Sequence, residues 1–220
     1  MTTSQERTPL WQWICVFVAT AGRADNLALW VRQFFAWMFR SKKEVKSGSG
    51  AGTAGSIVAL LALIVFDWNF EYVFAAGFFS FIIGMFVIPS AAHWFYNHVG
   101  KDVKADGSTT CYDYNQICWD EVHGMFLAAL PTYFFLRYLG EEYRTSPMLW
   151  IDLFIAFVLF RIFDVKKPSL IGWIEKKFDG TELGVLLDDS LAGLFAAGCH
   201  FWFILITMPI RPGIYAYIFH

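Results

Sequence analysis

The chain has 220 residues, 57% of them hydrophobic and 20% aromatic, with a formal charge of −2. Soluble domains average about 45–50% apolar residues. The excess here gathers in blocks, which excludes a disordered chain and points to an integral membrane protein. The near balance of 17 Lys and Arg against 19 Asp and Glu, with no long basic tract, gives no footing for nucleic acid as a partner.

Met1–Pro9 is polar, and the apolar run Leu10–Thr20 is soon broken by Arg23 and Asp25. That is not the pattern of a cleavable signal peptide. Leu10–Phe39 mixes apolar and aromatic positions with Arg23, Asp25, Arg32 and Gln33. It reads as one or two amphipathic helices, which either lie in the membrane interface or pack against the rest of the protein. Arg40–Lys46 is a basic linker, and Ser47–Ser56 is rich in Gly and Ser. The chain thus divides into an N-terminal region, residues 1–47, and a membrane domain, residues 48–220.

Apolar blocks follow at Ile57–Phe66, Phe70–Ala92, Ile117–Leu139, Met148–Phe163 and Gly184–Pro209. The expected fold is all-α: a polytopic bundle of about five apolar helices. Trp68, Tyr72, Trp94, Tyr138, Trp150 and Trp173 sit at block edges, as an aromatic interface belt requires. The first block is short. At 1.5 Å per residue it covers roughly 15 Å of a core about 30 Å thick. It spans only if its helix begins near Gly52, and otherwise it is re-entrant.

If all five blocks cross, Arg40, Lys42, Lys43, Lys46, Lys101, Lys104, Arg161, Lys166, Lys167, Lys176 and Lys177 share one side. Arg137, Arg144 and Arg211 face the other. The positive-inside rule makes the first side cytoplasmic. The same parity brings the Gly/Ser-rich segment, Asp120 and Glu121, Asp164, and Asp188 and Asp189 to the cytoplasmic headgroup level.

Those five acids are the strongest functional signal. A carboxylate in or beside lipid costs roughly 2.5–3.5 kcal/mol on the insertion scale. Mg²⁺ takes oxygen ligands and keeps several waters, so carboxylates at helix ends suit it. Neighbours on a helix point about 100° apart. Each acidic pair can therefore address one ion and an adjacent helix, or two ions. Helix capping accounts for Asp188 or Asp189 in a first turn but not for all five. The rival use of intramembrane acids is cation or proton transport. Transport predicts acids spread through depth, whereas Phe74–Ile88 and Phe195–Met208 hold no charged residue.

Around the acids stand candidate phosphate ligands. The Ser47–Ser56 stretch leads into a helix, where backbone N–H groups attract anions, and Thr53 and Ser56 add hydroxyls. The alternative is a flexible linker. No Lys follows in the P-loop arrangement. Arg161, Lys166 and Lys167 either snorkel to the interface or bind phosphate. Gly124, Ala128, Gly193, Ala197 and Gly198 permit close helix approach. His93, His98, His200 and His220 read as structural or solvated. His123, next to the acidic pair, is the one histidine placed to support a ligand from behind. Cys15, Cys111, Cys118 and Cys199 have no paired spacing and read as lone thiols.

Three stretches, Ile117-Cys-Trp-Asp-Glu-Val-His-Gly-Met125, Phe160-Arg-Ile-Phe-Asp-Val-Lys-Lys-Pro168 and Gly184-Val-Leu-Leu-Asp-Asp-Ser-Leu-Ala-Gly193, resemble the three acidic motifs of phosphatidylglycerophosphatase A. Gly52-Thr-Ala-Gly-Ser56 is similar to that family's N-terminal Pro-Gly-Thr-x-Gly-Ser, with Ala51 in place of the proline. The motifs stand in family order, and the resemblance covers roughly residues 48–209. His123 stands where the family carries an aliphatic residue, and Ser169-Leu170 replaces Trp-Pro.

The resemblance implies a Mg²⁺-dependent lipid phosphatase of a bacterial inner membrane, with its site facing the cytoplasm. The substrate is the phospholipid phosphatidylglycerophosphate, held in the membrane, and the product is phosphatidylglycerol. A homo-oligomer is compatible with it. Asp120, Glu121, Asp164, Asp188 and Asp189 become metal or catalytic residues. Thr53, Ser56, Arg161 and Lys167 become phosphate ligands. The nucleophile is either a water or an aspartate, Asp188 or Asp189. A phosphatase acting on another phospholipid head group is the close alternative.

Overall fold

The computed structural model describes residues 10–22, 51–66, 68–98, 100, 102–103, 109–110, 114, 116–178 and 181–211. Within them lie α1 (Leu10–Ala19), α2 (Ala51–Val65), α3 (Phe70–His98), β1 (Asp102–Val103), β2 (Thr109–Thr110), α4 (Trp119–Thr145), α5 (Pro147–Lys166), α6 (Ser169–Lys177) and α7 (Glu182–Thr207). The two short strands pair antiparallel, Asp102 opposite Thr110. Among the described residues the fold is all-helical apart from this hairpin, and each of the five apolar blocks has become a helix. Two helical segments among the described residues, Phe70–His98 and Leu183–Ile210, are long and apolar enough to cross a membrane.

Local signals set the boundaries. Asn69 Oδ1 accepts the Tyr72 N–H at 3.1 Å and starts α3, and Thr181 Oγ1 accepts the Gly184 N–H at 3.0 Å and starts α7, as capping side chains do. Lys167 ends α5 in the left-handed region with φ 41°, and Pro168 bars further α-helix there. α2 begins at Ala51, within one residue of the start its spanning would need. Its 15 residues rise about 22 Å. Gly140 (φ 69°, ψ −154°) kinks α4.

Small residues let α4 and α7 touch. A Cβ on Gly193 would lie 2.5 Å from the Gly124 carbonyl oxygen, and one on Gly124 would lie 3.0 Å from the Asp189 carbonyl. Ala128 is wholly buried. Gly198, expected on this seam, faces open space. Five residues beyond Gly193 turn the helix by about 500°, which points that position away.

The main core is built from Met125, Ala128, Ala129, Ala156, Phe160, Ala192 and Ala196. A second cluster joins Val16 and Ala19 of α1 to Ile88, Ala91, Ala92 and Phe95 at the far end of α3. The opposite face of α1 exposes Leu10, Trp11, Ile14 and Phe17, so both faces of this helix are apolar and it is not amphipathic. The remainder of the expected amphipathic region and the basic linker lie outside the described residues, as does Cys111. Among the described residues Cys15, Cys118 and Cys199 form no disulfide.

The bundle also holds an ion pair that the sequence reading passed over. Asp152, inside the fourth apolar block, has no exposed surface. Arg211 grips it with both nitrogens, Nη1 to Oδ2 at 2.5 Å and Nη2 to Oδ1 at 2.9 Å. The Tyr143 hydroxyl donates to the same Oδ2. Arg211 also donates to Thr207 Oγ1. Arg211 was expected only as one of three cations on the side opposite the acids. It turns back after the Met208–Ile210 turn and closes the end of the bundle.

Candidate functional site

The first turn of α4 carries Asp120 and Glu121, and the second turn of α7 carries Asp189. Carboxylate oxygens from these three residues lie within 4.8 Å of one another. Asp120 and Asp189 are buried, and Glu121 is partly so. The close seam at Gly124 and Gly193 is what lets two helices bring acids this near.

The other two predicted acids flank this triad. Asp164, near the end of α5, lies close enough to Asp189 for their charges to repel and pairs with Arg161 at 2.6 Å. Asp188 turns to Lys167, whose Nζ donates to its Oδ2 at 2.7 Å. Its other oxygen accepts the Asp189 N–H at 3.0 Å. So the five-acid set resolves into three converging carboxylates and two that pair with cations.

The Gly/Ser-rich stretch contributes differently from the sequence expectation. From Ala51 onward it is helix rather than loop, and Ser47–Gly50 lie outside the described residues. Gly52 makes room for an acid: a Cβ there would sit 1.9 Å from Glu121 Oε1. Gly55 makes room for the start of α4, with the Cys118 carbonyl oxygen 2.6 Å from a Cβ placed there. Ser56 is buried. Its hydroxyl donates to the Gly52 carbonyl at 3.0 Å and accepts from Arg161 Nη1 at 3.5 Å. Thr53 is exposed at the opening of α2. Thr53, Ser56 and Arg161 thus stand on the two helices beside the triad, with Lys167 just past the end of one of them.

Electrostatics gives the triad a chemical direction. Two like charges 4 Å apart repel by about 4 kcal/mol at an effective dielectric constant of 20. Glu121 Oε2 is buried with no hydrogen-bond partner among the described residues. A buried acceptor left in this way is costly. Hard oxygen donors, mutual repulsion and an unsatisfied lone pair together fit a divalent cation of the Mg²⁺ type.

The sequence reading missed what surrounds His123. Its ring lies between Ser80 of α3 and Ser190 of α7, 2.9 Å from each hydroxyl. Its place next to the acidic pair was the signal, and its partners come from distant helices.

Comparison with known proteins places these residues in one family. The family model described as Phosphatidylglycerophosphatase A matches residues 34–204. A protein of that name from Haemophilus influenzae is 26% identical over 151 residues, covering 68% of this chain and 73% of its own length. A second of that name, from Escherichia coli, is 35% identical over 89 residues, covering 40% of this chain and 42% of its own length. No solved structure matches the chain.

Proposed function

The chain belongs to the phosphatidylglycerophosphatase A family, and from this premise we propose that it removes the terminal phosphate of phosphatidylglycerophosphate to give phosphatidylglycerol. The observation that carries the proposal is the convergence of Asp120, Glu121 and Asp189 from two helices onto one point. We assign these three residues to a Mg²⁺ ion, with Asp164 and Asp188 beside it. When bound, that ion supplies Lewis-acid neutralisation of a phosphomonoester.

The chain's own groups do the rest. Arg161 and Lys167 offer positive charge to the phosphate in exchange for their present carboxylate partners. Ser56 and Thr53 add hydroxyl donors from α2. Water adds to phosphorus in line with the departing oxygen. The phosphorus–oxygen bond to glycerol breaks, a proton from the water passes to the glycerol oxygen, and inorganic phosphate leaves. Positioning and charge stabilisation account for most of such catalysis.

In this proposal all five apolar helices cross a bacterial inner membrane and the acids face the cytoplasm. The Lys and Arg distribution supports that orientation. α2 rises too little to span alone, so it sits within the bundle against α4 and α5. The diacylglycerol part of the substrate stays in the bilayer.

Phosphate release by purified protein tests the proposal. Phosphatidylglycerophosphate should be hydrolysed with Mg²⁺ and spared when the metal is chelated, and phosphatidic acid should be a poor substrate. Equal turnover of both lipids would reassign the substrate. Lys167→Ala is expected to raise KM about tenfold with a smaller change in kcat, and unchanged kinetics would return Lys167 to interface anchoring. Gly52→Ala displaces the Glu121 carboxylate. Its apparent Mg²⁺ requirement is expected to rise about tenfold, read from a metal titration of the rate.

A further inference from the structure

We propose that His123 is a positioning residue that fixes the spacing between the two acid-bearing helices. The inference rests on the metal-site reading above and deepens it. Ser80, His123 and Ser190 are 4%, 3% and 8% exposed, so water does not compete for their hydrogen bonds. His123 Nδ1 and the Ser80 hydroxyl lie 2.9 Å apart, and His123 Nε2 and the Ser190 hydroxyl also lie 2.9 Å apart. One ring thereby ties α4 to α3 and to α7.

Chain position gives the tie its consequence. His123 follows Glu121 by two residues, and Ser190 directly follows Asp189. The ring therefore sets how far the helix of Asp120 and Glu121 stands from the helix of Asp189. α3 is the fixed member. Its Ser80 carbonyl also accepts the Trp119 Nε1–H at 2.9 Å, one residue before Asp120. Gly84 lets Leu186 pack closely, since a Cβ there would lie 2.7 Å from Leu186 Cδ2, and Trp119 sits 3.2 Å from the same point. Both hydroxyls are within reach of carbonyls in their own helices, Gly77 and Leu186. A neutral imidazole has one N–H and one acceptor nitrogen, so one serine accepts from the ring and keeps its carbonyl bond, while the other turns its single hydrogen from its carbonyl to the ring. The bridge is directional. Side chains that orient metal ligands from behind commonly govern affinity by one to two orders of magnitude.

The test uses full-length protein in detergent, with Mn²⁺ alone as a spectroscopic probe and phosphatidylglycerophosphate turnover as a second readout. His123→Leu keeps the volume and loses both hydrogen bonds. Mn²⁺ affinity and kcat are each expected to fall about tenfold with KM unchanged, and His123→Gln, which retains one bond, should fall between. Ser190→Ala removes a single oxygen and guards against misfolding of the larger change. Its Mn²⁺ affinity should drop about threefold at an unaltered melting temperature. Wild-type affinity and kcat in His123→Leu or Ser190→Ala would overturn the bridge alone. A wild-type protein that binds no Mn²⁺ would overturn the metal-site reading and the bridge with it.

Discussion

Replacing Asp189 by Asn is expected to reduce metal-dependent phosphate release about a thousandfold, or about 4 kcal/mol at 1.36 kcal/mol per tenfold. Asn keeps the shape of the side chain and removes the charge that would hold the ion. The same change relieves repulsion with Asp120, Glu121 and Asp164, all close enough to act on Asp189 or share its cluster. Metal-free protein should therefore melt no lower than wild type, and the variant should still insert. Lost function with retained or raised stability is the signature of a strained site. A variant that loses both together would mean that Asp189 is a structural residue. Phosphate release and thermal unfolding, measured side by side, decide between the two.

The second large effect lies away from the acids. Asp152→Asn should destabilise the protein by about 3–5 kcal/mol, because it leaves the Arg211 guanidinium buried against a neutral partner. Arg211→Leu should do comparable damage by stranding the carboxylate. Changing both together to apolar residues, Asp152→Leu with Arg211→Met, should recover much of the loss, since a well-packed apolar pair often matches a buried ion pair. Unfolding in detergent reads these changes. Mn²⁺ affinity of the folded fraction should stay at the wild-type value, because no ligand to the proposed ion is touched. Asp152 is also the acid that a transport reading would single out. Both its oxygens are engaged by Arg211, which makes it a structural clasp.

Much of the helical layout was legible because apolar blocks are local signals. The caps at Asn69 and Thr181 that set where α3 and α7 begin came only from the structure. The meeting of Asp120, Glu121 and Asp189 was foreshadowed by parity. If helices alternate direction, acids at chosen ends must share one plane. What stayed hidden depends on partners that the sequence does not bring together. Asp152 drew no reading from the sequence, because its partner Arg211 lies 59 residues further along the chain. Lys167 and Arg161 read equally well as anchors or phosphate ligands, and no local pattern revealed that they already pair with Asp188 and Asp164. Gly52 resembled part of a flexible loop, yet its missing side chain is the space that Glu121 occupies. The helix register that puts Gly193 on the seam and turns Gly198 away is geometric and could have been worked out in advance.

Mn²⁺ titration followed by electron paramagnetic resonance, on wild type and on the combined variant Asp120→Asn, Glu121→Gln, Asp189→Asn, tests the shared ion most directly. Wild type should show saturable binding that Mg²⁺ displaces, and the combined variant should show none. Equal binding by the two proteins would contradict an ion held by these three carboxylates.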